Sequence, residues 1–264
     1  MTPSGIVTLT TDFGTADGYA GALKGAVLSR LPSARLVDLS HELAPGDVAG
    51  ASHLLARAAP YFPPGTVHVA VVDPGVGTAR RGLALRAGTQ LFVGPDNGIF
   101  GGVLEGAGEP PGVRALENES LWRASVSPVF HGRDVFALVA AYLAGGGELA
   151  AVGPALAPAD LVRLAAPAPR AVAGGLRGEV VHVDRFGNLV TNLCAPDGAA
   201  ASVEVAGRTL PLARTYGDVA PGALVALVGS SGRVEIALRD GSAAAHLEGS
   251  AGLVVTLRPP RESG

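Results

Sequence analysis

Residues 67–72, read Val-His-Val-Ala-Val-Val, constrain this 264-residue chain more than any other stretch. A nearly continuous apolar run of that length, closed by Asp73-Pro74-Gly75, reads as a strand buried on both faces, and such strands belong to parallel sheets. The residues before it agree. Positions 6–10 are a short β-branched strand, and Tyr19, Leu23, Ala26, Val27 and Arg30 follow helical spacing up to Pro32. Residues 35–39 form a second strand, and 47–59 a second helix with Asp47 as its cap and Pro60 as its stop. Strand, helix, strand, helix, strand predicts right-handed crossovers in an α/β domain. Ligands bind such sheets at the carboxyl edge of the strands, where Asp73 stands.

Further on, residues 83–86 and 90–93 read as two short strands before the dense turn Gly94-Pro95-Asp96-Asn97-Gly98, and 106–120 as an exposed connection. Phe130-His131-Gly132-Arg133-Asp134 leads into a helix through Leu143, with Val135, Leu138, Val139 and Tyr142 on one face and Gly145 as its stop. An Ala- and Pro-rich stretch then divides the chain into an N-terminal α/β domain (1–160), a linker (161–175) and a C-terminal domain (176–264). Short strands at 179–184, 189–193, 202–205, 224–228, 234–238 and 253–257, with no helix between them, predict a small antiparallel β-barrel.

Composition removes several function classes. Net charge is −3 with no basic block, which argues against a nucleic-acid surface. The single cysteine, Cys194, excludes an internal disulfide framework and a cysteine-ligated zinc site, and suits a reducing cytoplasm. No apolar run reaches membrane-spanning length and no charged leader precedes an apolar core, so a soluble cytoplasmic protein with no membrane partner is expected. The 38 glycines and 20 prolines follow no period, so they mark tight turns between packed elements. Four asparagines, one glutamine and one methionine suggest a heat-adapted source, with a thermal midpoint above about 55 °C.

Common cofactor motifs fail. Gly75-Val76-Gly77 lacks the third glycine of a dinucleotide fingerprint, no Gly-Lys-Ser/Thr phosphate loop occurs, and Asp12-Phe13-Gly14 has no His-Arg-Asp loop upstream. Each remaining polar cluster has a plain structural explanation when taken alone. Asp73-Pro74-Gly75 is a stiff turn, His131 a helix cap, and Asp184 to Asn188 a hairpin.

Order and wording change that reading. Leu9-Thr10-Thr11-Asp12-Phe13-Gly14, Asp38-Leu39-Ser40-His41, Val71-Val72-Asp73-Pro74-Gly75-Val76-Gly77-Thr78, Gly94-Pro95-Asp96-Asn97-Gly98, Phe130-His131-Gly132-Arg133-Asp134 and Asp184-Arg185-Phe186-Gly187-Asn188 occur in series. Together they resemble the adenosine-forming S-adenosyl-L-methionine (SAM) hydrolases, or SAM hydroxide adenosyltransferases, relatives of fluorinase and chlorinase. The resemblance spans nearly the whole chain. It implies a Rossmann-like α/β sandwich plus a β-barrel, and a homotrimer with active sites between subunits. It implies no cofactor and no metal, since SAM is itself the substrate. By position it places the catalytic set on Asp73, Arg80 and His131, and the ribose-binding carboxylate on Asp12. Phe13, Phe130, Asp184, Asn188, Ser230, Ser231, Glu235 and Leu238 fall on the other substrate-binding positions.

The residue types suit the chemistry. The sulfonium leaves ribose C5′ as a neutral thioether, so the task is to place a nucleophile in line and exclude competitors. A water held by Asp73, Arg80 and His131 would attack C5′, with Asp73 or His131 accepting its proton. Asp12 suits a ribose diol and Asp184 the methionine ammonium. The halogenating relatives resemble one another in carrying tyrosine at the Asp73 position, and a carboxylate there repels halide. Adenosyl-halide synthesis and a non-catalytic SAM or adenosine sensor are the alternatives.

Overall fold

The chain starts its sheet with Ile6–Thr11 (β1), then folds through Tyr19–Arg30 (α1), Arg35–Ser40 (β2), Val48–Ala58 (α2) and Val67–Val71 (β3). The computed structural model describes residues 2–165, 168–194 and 202–259 and falls into two units, 1–164 and 165–264. The first unit continues with Gly82–Ala87 (β4), Gln90–Pro95 (β5), Gly101–Glu105 (α3), Gly112–Ala115 (β6), a π-helical segment Gly132–Phe136, Ala137–Ala144 (α4) and Ala155–Leu156 (β7). Its strands pair in the order β2-β1-β3-β5-β4-β6-β7. The first four are parallel and the rest run antiparallel.

Pleating sorts the side chains of this sheet onto two buried faces. Val7, Leu9, Val67 and Val69 pack under α1 and α4 against Leu23, Val27 and Val139, while Ala70, Leu85 and Phe92 pack under α2 and α3 against Leu55 and Val103. Both faces are covered, which is why β3 reads as a nearly unbroken apolar run. Asp47 caps α2 by accepting a hydrogen bond from Gly50 N at 2.8 Å.

His68 is the polar exception in β3. Its ring stacks on Phe92 with centroids 4.8 Å apart and its Nδ1 meets Thr8 Oγ1 at 2.7 Å. Burial pushes its pKa down to about 4. The unfolded chain therefore takes up this proton near pH ~6.5 and the folded chain only near pH 4. Stability present above pH ~6.5 falls as pH drops toward 4, by roughly 3 kcal/mol at the limit. Urea midpoints measured at pH 7 and pH 4.5 should therefore diverge for the native chain and converge for His68→Leu. A native midpoint that stays constant across this range contradicts the assignment.

Several expectations need correction. Residues 106–120 are not an open connection, because β6 pairs with β4 and buries Val113 and Ala115. Gly101–Glu105 and Ala243–Leu247 are helices too short to show a period, so the second unit is not free of helix. Arg170–Val172 is a strand inside the stretch read as linker, of which Ala166 and Pro167 lie outside the described residues.

The second unit is built from Arg170–Val172 (β8), Gly175–Val183 (β9), Leu189–Cys194 (β10), Ser202–Val205 (β11), Arg208–Ala213 (β12), Leu224–Val228 (β13), Arg233–Leu238 (β14), Ala243–Leu247 (α5) and Val254–Arg258 (β15). Among the described residues seven strands close a ring, β10-β14-β13-β12-β11-β15-β9 and back to β10, with β8 beside β9. The barrel is antiparallel except where β12 runs parallel to β13. The 214–223 connection carries a capped turn, with Asp218 Oδ2 accepting from the Arg214 and Thr215 backbone, and returns the chain in the same direction. Val180, Leu193, Val203, Ile236 and Val255 fill the interior. Among the described residues no helix is long and apolar enough to cross a membrane.

Candidate active site

The carboxyl edge of the parallel strands carries a cleft of about 550 Å³, solvent at its mouth included. Asp12 and Phe13 reach it from the end of β1, Asp73 from the end of β3, and Phe130 and His131 from the start of the π-helical segment. The order β1-β3 puts two of these loops side by side, and the segment 130–136 packs over both. A Cβ on Gly132 would lie 3.4 Å from both Phe13 and Val71, in van der Waals contact, so the backbone next to His131 packs closely on the ends of β1 and β3.

The loop 73–81 is a run of tight turns. Val76 N bonds Asp73 O, Thr78 N and Oγ1 bond Gly75 O, and Arg80 N bonds Thr78 Oγ1. Gly77 has φ +77°, and a Cβ there would stand 2.7 Å from Pro128 O. Glycine therefore lets this loop press against the 126–131 segment.

The turns return Arg80 to Asp73. Arg80 Nε donates to Asp73 Oδ1 at 2.9 Å and to Oδ2 at 3.1 Å, and its Nη2 donates to Oδ2 as well. The same Nη2 meets His131 Nδ1 at 3.2 Å. One guanidinium thus ties together the two groups that face the cleft. The side chains of the ion pair are largely screened from solvent, at 11% exposure for Arg80 and 5% for Asp73. Arg80 itself stands behind the cleft lining, its guanidinium over the Phe136 ring at 5.1 Å.

The bond to Arg80 settles the state of His131. Guanidinium only donates, so Nδ1 supplies the lone pair and the proton of the neutral ring sits on Nε2. Burial and then the Arg80 charge hold the His131 pKa below the usual histidine value, against the opposing pull of Asp73 and Asp134. In an NMR titration the His131 ring should change state below pH ~6.5, and at a higher pH in Arg80→Met than in the native chain, because that variant lacks the like charge. A native midpoint at or above pH ~6.5 contradicts this geometry.

Asp134 anchors the segment from below. It is fully buried, takes the Arg133 fork through Nε and Nη2 at 2.7 and 2.8 Å, and accepts from Ser127 N at 2.9 Å. The Arg133 hydrogen bond holds its carboxyl below the usual range despite burial. Arg133 lies over the Phe130 ring at 4.8 Å, and Phe130 meets Phe13 and Tyr19 edge to face. Of these rings, Phe13 and Phe130 line the cleft. Across it, Asp12 Oδ2 accepts from Gly46 N at 2.8 Å.

The structure therefore brings together six of the residues read from the sequence: Asp12, Phe13, Asp73, Arg80, Phe130 and His131. Gly46, Phe136 and Asp134 complete their support. Phe136 was hidden because it carries the ordinary periodicity of a core helix position.

The second-unit residues form two separate turns. Asp184 Oδ1 accepts from Phe186 N and Asn188 N, and its Oδ2 accepts from Asn188 Nδ2, each at 2.9 Å. Its carboxylate thus builds the β9–β10 hairpin. Ser230 and Ser231 sit in the β13–β14 turn, and Glu235 is buried with its carboxylate against Gly229. Leu189 pairs with Ile236 and Cys194 with Arg233, so the register sets the Asn188 turn and the Ser230-Ser231 turn at opposite ends of β14. Leu238 lies toward the Asn188 end and packs on the barrel core.

Two family models cover most of the chain. The SAM hydroxide adenosyltransferase N-terminal domain matches residues 7–153 and the C-terminal domain of the same family matches 178–256. A Salinispora tropica protein named (R)-S-adenosyl-L-methionine hydrolase is 46% identical, covering 92% of this chain and 94% of its own. An Actinoplanes protein named fluorinase is 31% identical over 96% of this chain and 97% of its own. The crystal structure of an uncharacterized conserved protein from Thermotoga maritima superposes with a TM-score of 0.87 at 36% identity, over 96% of this chain and 99% of that one.

Proposed function

We propose, from the premise that this chain belongs to the SAM hydroxide adenosyltransferase family, that it hydrolyses (R)-S-adenosyl-L-methionine to adenosine and L-methionine. The observation that carries the mechanism is the Arg80 guanidinium joined at once to Asp73 and His131 at the wall of the cleft.

The chemistry follows from who can donate. Neutral His131 with its proton on Nε2 is a donor, so it orients the lone pair of a water but does not take its proton. Asp73 has acceptor capacity and faces the cleft, so it is the proton acceptor. The water oxygen bonds to ribose C5′ as the C5′–sulfur bond breaks. That electron pair stays on sulfur, giving the neutral thioether of methionine, and the water proton passes to Asp73 and then to solvent. Arg80 touches neither water nor substrate; it fixes the two groups that do. Asp12 takes the ribose diol, and the Phe13 and Phe130 rings offer faces for the adenine. In the second unit, Asp184, Asn188, Ser230, Ser231, Glu235 and Leu238 are the proposed contacts to the rest of the ligand. For Asp184 the methionine ammonium would add to the hairpin bonds already made.

A carboxylate at position 73 repels halide, which favours hydrolysis over adenosyl-halide synthesis. Each sulfonium epimer incubated in halide-free buffer separates the readings. Adenosine should form from the (R) epimer without added salt. Product only when chloride is supplied, as 5′-chloroadenosine, overturns hydrolysis; tight binding with no turnover identifies a sensor. Because the leaving group is neutral without help, no metal is required, and chelator-treated protein should keep its rate. The homotrimer that the sequence resemblance implies is part of this proposal, to be tested by mass in solution. The single exposed Cys194 suits a reducing compartment, so we place the enzyme in the cytoplasm.

A further inference from the structure

We propose that Asp96 and Asn97, in the Gly94-Pro95-Asp96-Asn97-Gly98 turn, are positioning residues that clamp the two stems of the 72–81 loop and thereby set the Asp73–Arg80 pair. This rests on the proposed hydrolysis for its assay.

The two clamps come from adjacent residues of one turn. Asn97 Nδ2 donates to Val72 O at 2.8 Å, and Asn97 Oδ1 accepts from Ile99 N at 3.2 Å, so both ends of the amide are fixed. Asp96 Oδ2 accepts from Arg81 Nε at 3.0 Å and from its Nη2 at 2.6 Å, while Asp96 N donates to Arg81 O at 2.9 Å. Asp96 Oδ1 accepts from Val162 N at 3.0 Å, so the carboxylate is held from behind as well. It is buried to 2% side-chain exposure.

The placement is what matters. Val72 is the residue before Asp73, and Arg81 is the residue after Arg80. The turn thus grips the loop immediately outside each member of the ion pair and fixes the distance between the stems. Gly94 makes this possible, since a Cβ there would stand 2.2 Å from Ala70 O and push β5 away from β3. The Asp73–Arg80 bonds keep the pair together and the single Arg80–His131 bond links it to the neighbouring segment, but where the pair stands in the cleft depends on the two stems of its own loop. A misplacement of about 1 Å at reacting groups costs on the order of a hundredfold in rate.

The test measures kcat, KM and thermal midpoint for Asn97→Ala and Asp96→Asn, with Asn118→Ala as a control. Asn118 also donates to a loop carbonyl, Ala151 O, but has no place at the cleft. Positioning predicts kcat lowered about 10- to 100-fold in both clamp variants with KM within about threefold, and an unchanged kcat in the control at a similar loss of midpoint. It also predicts that Asn97→Ala costs nothing further once Asp73 is already Asn. Lowered midpoints with native kcat in both clamp variants overturn the proposal, as do additive losses in the double variant. Should one clamp variant not fold, the other decides by the same split. A native enzyme that forms no adenosine defeats the functional reading itself, a result distinct from any difference between variants.

Discussion

Replacing Asp73 by asparagine is expected to lower kcat by at least a hundredfold while the protein stays folded. Asparagine keeps the shape and still accepts from Arg80 through its amide oxygen, so the bridge to His131 survives in part. What is lost is the anionic acceptor for the water proton, and positioned acid–base groups contribute about 10²- to 10⁴-fold. KM should move far less, because Asp12 and the aromatic wall do not depend on Asp73. Steady-state rates of adenosine release check this. A variant within tenfold of native kcat would remove Asp73 from the role of proton acceptor.

The second large effect is expected at Arg80. In Arg80→Met a buried carboxylate loses its charge partner, and breaking such a pair costs about 3–5 kcal/mol. For a domain of this size the loss reads as a midpoint lower by about 10 °C. Activity should fall as far as in the Asp73 variant, because Asp73 and His131 lose their common anchor together. Arg80→Lys separates the two effects. Lysine restores a positive charge and part of the stability, but a single ammonium cannot span two carboxylate oxygens and an imidazole nitrogen with the same fork. Calorimetry and rates on both variants test this. A lysine variant with native kcat would show that charge alone suffices there.

Much of the first unit was legible because its elements are periodic. β1, α1, β2, α2 and β3 fall within about a residue of where β-branched runs, helical spacing, Asp47 and the prolines put them. The misses have local causes. β6 is four residues long and follows a glycine- and proline-rich run, so its buried Val113 and Ala115 show no pattern until β4 is there to pair with. β12 carries Pro211 and alternates weakly, and only its neighbours β11 and β13 make it a strand. The π-helical turn at Gly132–Phe136 shares the apolar spacing of the α-helix it opens, so sequence shows the helix and not its widened first turn.

The site divides in the same way. Asp73 and Arg80 are seven residues apart in a run of turns, and their meeting was implicit in Gly75, Gly77 and Thr78. The arrival of His131 beside them depends on strand order, which no local pattern encodes. Read from the sequence, Arg80 holds the water together with Asp73 and His131. Its guanidinium bonds both Asp73 and His131 and lies over Phe136, outside the residues that line the cleft, which is why its proposed part is to hold the other two.

The most direct test of the account is turnover of (R)-S-adenosyl-L-methionine in water enriched in oxygen-18. Attack on C5′ by a water held at Asp73 and His131 predicts one heavy oxygen in the 5′-hydroxyl of adenosine and none in methionine. Adenosine without the label, or a 5′-halogenated product in its place, would contradict it.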